Sequence, residues 1–89
     1  MTLVPMPSSE DLLKIVISAI QEHGGEATNL DIYQFCVKNL KLTQAQIDVI
    51  RSGNRSEIEY RLAWARTKAA KKGLIHRSRP STWTLGPKE

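Results

Sequence analysis

The sequence predicts a mainly α domain closed by a small β-hairpin, the element order of a winged helix-turn-helix. Three observations predict it. Residues 8–51 carry three capping signatures in succession, each opening an apolar pattern of helical period. Residues 56–72, SEIEYRLAWARTKAAKK, make one long helix that Gly73 ends. After Gly73 the period shortens from 3.6 to 2, and Pro80 punctuates two short strands.

The elements follow in order. Residues 1–7, MTLVPMP, hold two prolines and no helical pattern, and form an extended lead-in. Ser8 with Asp11 opens a first helix from about Ser9 to Glu22, with Leu12, Leu13, Val16, Ile17 and Ile20 as its core stripe. His23, Gly24 and Gly25 stop it, and Glu26 and Ala27 have room only for a brief strand. Thr28 with Asp31 opens a second helix to about Leu40. Its apolar residues, Leu30 to Leu40, cover most of the circumference and predict deep burial. Thr43 with Gln46 opens a third, short helix to about Arg51, and Ser52-Gly53-Asn54 breaks the chain.

In the long helix Ile58, Leu62, Ala65 and Ala69 share one face. Asn54 and Ser56 are both competent N-caps, and Lys71 and Lys72 suit the negative end of the helix dipole. Tyr60, Ala63, Trp64, Thr67 and Ala70 lie roughly opposite the first stripe. A helix apolar on two faces is covered on both, and the short third helix is the expected cover, which makes Tyr60 and Trp64 a second core. The alternatives for this pair are a partner face, as in a homodimer, or stacking on a nucleic-acid base. In the closing hairpin Leu74 to Arg77 and Thr82 to Leu85 are the strands. Ile75, Trp83 and Leu85 are expected to face the helices, with His76, Thr82 and Thr84 outward. Residues 8–86 then form a single winged-helix domain, and 87–89 begin a linker or tail.

With 89 residues, 40% hydrophobic and 25% charged, the chain has the composition of one small soluble domain with a modest core. The N-terminus lacks the basic residues and apolar run of a secretory signal, so a cytoplasmic location is expected. Cys36 is the single cysteine, which excludes an internal disulfide. With His23 and His76 it makes no zinc spacing, so neither a metal nor a cofactor is expected. No base is identifiable beside Cys36, which reads as a small core residue.

The net charge of +4 is unevenly placed. Residues 1–50 hold three Lys/Arg against six Asp/Glu, and residues 51–89 hold ten against three. Cations gathered in the long helix and hairpin suit a polyanion such as double-stranded DNA, although a lopsided solubilising surface has the same composition. In a winged helix the long helix enters the major groove near its N-terminal end, and the hairpin lies along the DNA backbone or in the minor groove. The candidate DNA-binding residues are therefore Asn54, Arg55 and Ser56 at the helix start, and Arg77, Arg79 and Ser81 on the wing. Lys68 and Lys71, with Arg66, add to the field. Arg pairs bidentately with guanine and Asn with adenine, while the wing groups suit phosphates. Surface pairing of Glu57 with Arg61 and of Arg55 with Glu59 is the competing structural role.

The segment from Arg61, RLAWARTKAAKKGLIHRSRPSTWTLG, resembles the N-terminal domain of Mrr-type restriction endonucleases. That domain carries a pattern like R-V/I-x-W-A-R-x-x-L-x-x-x-G-L-I/L, then a basic hairpin ending in Trp, an aliphatic residue and Gly. Arg61, Trp64-Ala65-Arg66, Gly73-Leu74-Ile75 and Trp83 through Gly86 match it, and Gly24-Gly25, Ala27-Thr28 and Leu42-Thr43 agree more loosely. Ala69 departs from the pattern, which has a leucine there. The resemblance implies a winged helix serving DNA recognition in a restriction-modification setting, with methylated or otherwise modified DNA as a target. It also implies a nuclease domain following the module. No D/E-x-K pair on a strand pattern is visible in these residues, so the chain is expected to bind DNA and not to cut it. The runner-up is a protein-interaction or dimerisation module that uses the Tyr60/Trp64 face.

Overall fold

The computed structural model describes residues 6–53 and 55–86, and for residues 51, 52 and 55 the backbone alone. The order is α1 (Ser9–Glu22), β1 (Glu26–Thr28), α2 (Asn29–Asn39), α3 (Gln44–Ile47), β2 (Ile50–Ser52), β3 (Arg55–Ser56), α4 (Glu57–Lys71), β4 (Ile75–Arg79) and β5 (Thr82–Leu85). The three strands β1, β5 and β4 form an antiparallel sheet with β5 in the middle. Helices with a closing hairpin, and the first strand returned to the hairpin's inner edge, make the winged-helix arrangement.

The capping signatures work as local chemistry requires. Ser8, Thr28, Thr43 and Ser56 are extended, and each accepts a hydrogen bond from the backbone N–H three residues on. Thr28 and Asp31 close a reciprocal box, as do Thr43 and Gln46. The Thr28 N–H bonding to it is the main reason why the Asp31 carboxyl is held below its usual range. At the far end of α4, Gly73 is left-handed (φ 75°), its N–H reaching the Ala70 carbonyl and that of Leu74 the Ala69 carbonyl. This double closure satisfies two of the helix's last carbonyls and turns the chain into β4.

The core joins α1, α4 and the sheet. Leu12, Val16, Ala19 and Ile20 of α1 meet Ile58, Leu62, Ala65 and Ala69 of α4, closed by Ile32, Cys36, Ala27, Ile75 and Trp83. Every residue of the expected α4 stripe is buried. Two expectations are corrected. In α2 only Ile32 and Cys36 are buried, and Leu30 is 62% exposed, because α2 meets the core along one face, the one turned to α1. Thr82 is buried, not outward, because β5 has a strand on each side and its register with β4 shifts between Arg77 and Arg79.

The third helix is shorter than its pattern predicts. It ends after Ile47, and the chain enters a two-stranded ribbon in which Ile50 pairs with Ser56. The β-branched Val49-Ile50 step favours an extended backbone, and left-handed Gly53 (φ 53°) allows the reversal. The Glu57 N–H bonds to the Val49 carbonyl, so the ribbon also anchors the start of α4.

Two measurements check this packing. Leu62→Ala, at a position 1% exposed, is expected to cost roughly 2–5 kcal/mol in chemical denaturation. Cys36 is fully buried, and burial pushes its thiol up to about 11. The unfolded chain loses that proton from about pH 8.5 while the folded chain keeps it, so stability from this group falls as pH rises. Alkylation of Cys36 at pH 8 should proceed only as fast as the chain unfolds.

Candidate nucleic-acid interface

The face of α4 turned from the core, together with the wing, holds most of the candidate residues. Ser56 is buried and caps α4, its Oγ accepting from the Glu59 N–H at 3.1 Å. Its oxygen is thus committed to the helix start, in contrast to the expected surface contact. Asn54 lies outside the described residues, as does the side chain of Arg55. Close to this end Arg61 donates from Nε to Glu57 Oε1 at 3.0 Å. The structure realises that surface pairing directly.

Further along α4 the balance changes. Lys68, Lys71 and Lys72 are exposed, and no ion pair engages them among the described residues. Arg66 points elsewhere, into a cleft that it shares with Asn29, Leu30, Tyr33 and Glu59. It is half-buried with its Nε fully covered, so its contribution to the outer field is reduced.

The second-core expectation for Tyr60 and Trp64 is corrected. Trp64 is 58% exposed and Tyr60 half-buried, and the groove beside them is bordered by α1, not by α3. Tyr60 stands edge-on to Trp64, with ring centroids 6.4 Å apart and planes at 69°. Beside them Leu12 and Ala65 floor a groove between α1 and α4, with Lys68 and Lys71 at its margin.

On the wing, Arg77 and Arg79 part company. The Arg77 guanidinium lies 5.5 Å from the centre of the Trp83 ring, a cation–π contact that leaves the arginine exposed. Arg79 is bonded to Glu26 on the outer side of the sheet, where Thr84 donates to Ser78 at 2.8 Å. Glu26 therefore offsets the wing-tip charge that the sequence assigned to DNA. Ser81 is exposed and left-handed (φ 59°), and its carbonyl accepts from the Asn29 N–H at 2.8 Å, fastening the turn to α2.

Trp83 secures the wing at a second point, donating from Nε1 to Asn29 Oδ1 at 2.8 Å. The Asn29 contribution was missed in the sequence because a residue just after a helix cap has no local pattern that reveals a partner 54 positions away. Among the described residues no group of His, Cys, Asp and Glu has the arrangement to hold a metal ion. No helix among them is long and apolar enough to cross a membrane. His23 bonds through Nδ1 to the Ala19 carbonyl and His76 to that of Gly86, each at 2.9 Å, both local structural contacts.

These features, a Trp-Ala-Arg step inside the long helix and a wing closed by Trp83 and Gly86, coincide with a family match. The model of the Mrr N-terminal domain matches residues 10–88. The chain belongs to the Mrr N-terminal domain family. No curated protein and no solved structure matches it. Within this Mrr N-terminal domain Trp83 is a structural residue that holds the wing, whereas Trp64 is open to solvent.

The Glu26–Arg79 pair carries a measurable consequence. Glu26→Gln releases Arg79 and removes one negative charge from the wing. DNA binding, if it runs through this wing, should tighten several-fold at low salt in a fluorescence-anisotropy titration and show a steeper salt dependence than wild type. Unchanged binding would place the outer side of the wing away from the DNA.

Proposed function

We propose that this chain is the DNA-binding module of a restriction-endonuclease-like system and does not cleave DNA by itself. The observation that carries the reading is the cation cluster at the end of α4, Lys68 and Lys71 with Lys72 at the C-cap, which no ion pair engages among the described residues, on the helix that a winged helix presents to the major groove. Duplex DNA lies against the outer face of α4, with Lys68 and Lys71 on phosphates. Arg77 supplies a further phosphate contact from the wing, and Arg79 joins it on leaving Glu26. Ser81 reaches the backbone from the wing turn. Asn54 and Arg55, at the start of α4, are the candidates for base edges.

An anisotropy titration on one duplex sequence at several salt concentrations tests this. Binding should weaken steeply with salt, and Lys68→Ala and Lys71→Ala should each weaken it across all sequences and reduce the salt slope by about 1. Arg55→Ala should relax sequence preference instead. The same duplex with methylated cytosine or methylated adenine separates a reader of modification from a general DNA anchor, according to whether one form binds tighter at the higher salt. Absence of duplex binding at low salt would overturn the reading.

A second reading, a protein-interaction or dimerisation module, is favoured by the exposure of Trp64 beside Tyr60. Its signature is salt-insensitive self-association that Trp64→Ala abolishes with the fold intact, measured by sedimentation.

A further inference from the structure

We propose that the groove between α1 and α4 is a stacking site for unpaired DNA bases, with Trp64 as its platform. The inference rests on the DNA-binding reading and adds a second mode to it. The groove has a volume of about 480 Å³ and is open to solvent along one side. Its floor is apolar, from Leu12 and Ala65, and its wall is the indole of Trp64, braced edge-on by Tyr60. The brace leaves Trp64 more than half exposed, an unusual state for the largest apolar side chain in a small domain.

Charge selects the occupant. Lys68 and Lys71 follow Trp64 along the same side of the helix at i+4 and i+7. At 1.5 Å of rise per residue their Cα atoms lie roughly 6 and 10 Å farther along the axis, spacing that suits successive phosphates of a strand whose base rests on the indole. An exposed aromatic ring flanked by cations is the combination by which proteins hold single-stranded nucleic acid, the ring taking the base face and the cations the backbone. A partner protein would need a broader apolar surface, and this groove is rimmed by lysine.

The polar groups around the groove indicate that the site is tolerant of sequence. Thr67 donates its hydroxyl to the Ala63 carbonyl, and Glu57 accepts from Arg61. These bonds engage Thr67, Glu57 and Arg61 along α4 itself. An open, one-sided platform of this kind stacks any base and does not enclose one for close inspection. Trp83, the other indole, is 8% exposed and plays no part.

The test uses the whole chain and an oligothymidylate of about one groove's length, beside a duplex of mixed sequence. Binding is read by anisotropy and by quenching of tryptophan fluorescence. The buried Trp83 supplies a constant background. Oligothymidylate should quench the Trp64 emission. Trp64→Leu should weaken single-strand binding by roughly 5- to 150-fold, the range for loss of one stacked base. Trp64→Phe should restore most of the loss, and duplex binding should change less than threefold in both variants. Thermal melts of both variants establish that they fold, as expected for a surface position. Duplex binding with no single-strand binding would overturn this proposal and leave the duplex reading standing. Equal weakening of both ligands by Trp64→Leu would also overturn it, making Trp64 one more duplex contact. Binding of neither DNA form, with self-association lost in Trp64→Leu, would overturn both readings and identify a protein-binding face. An oligouridylate arm distinguishes DNA from RNA: tighter binding to it would overturn the assignment to DNA.

Discussion

Trp83 is the residue through which the sheet and the helices are held in one geometry. It sits on the middle strand, opposite Ala27 of β1 on one side and Arg77 of β4 on the other. Its ring fills the edge of the core, its N–H reaches Asn29 at the head of α2, and the Arg77 guanidinium covers it from solvent. An indole can do this because it is apolar in body and has one donor at its rim, so burial leaves no polar atom unsatisfied. The position of the wing relative to α4 follows from this junction and from the Ser81 carbonyl bound by Asn29. A DNA surface spread over α4 and the wing has a defined shape only if that relation is fixed.

The same chain divides its charges by role. Arg61 and Arg79 have carboxylate partners, Arg66 is drawn into a cleft, and Arg77 lies over an indole. Lys68 and Lys71 extend into water. Exposed ion pairs contribute little to stability, so the Glu57–Arg61 and Glu26–Arg79 pairs matter more for the electrostatic field than for folding. They lower the positive potential at the start of α4 and at the wing tip. Among the described residues, the lysines that no ion pair engages lie at the C-terminal end of α4, beside the aromatic groove.

Local chemistry made much of the fold legible. Caps at Ser8, Thr28 and Thr43, the stripe from Ile58 to Ala69, and the shift of period after Gly73 each depend on residues within a few positions of one another. The third helix was less legible because two local preferences compete there. A capping box starts it at Thr43, while the β-branched Val49-Ile50 step and left-handed Gly53 draw the following residues into a ribbon. The candidate site was legible as a set of cations, but not as a set of available cations. Whether an arginine is free depends on what stands across from it, and Glu26 is 53 residues from Arg79.

By itself the sequence determined the four helix starts, the closing hairpin, the winged-helix class, the buried face of α4 and the family, but not the β2–β3 ribbon, because periodicity, caps and motif spacing are properties of short segments. Tertiary structure alone decided that Trp64 is open and Trp83 closed, though both are tryptophans in predicted apolar patterns. The physical reason is coverage. Trp83 is enclosed by a neighbouring strand, the head of a helix and an arginine, whereas Trp64 stands on an open groove between α1 and α4 with Tyr60 edge-on beside it.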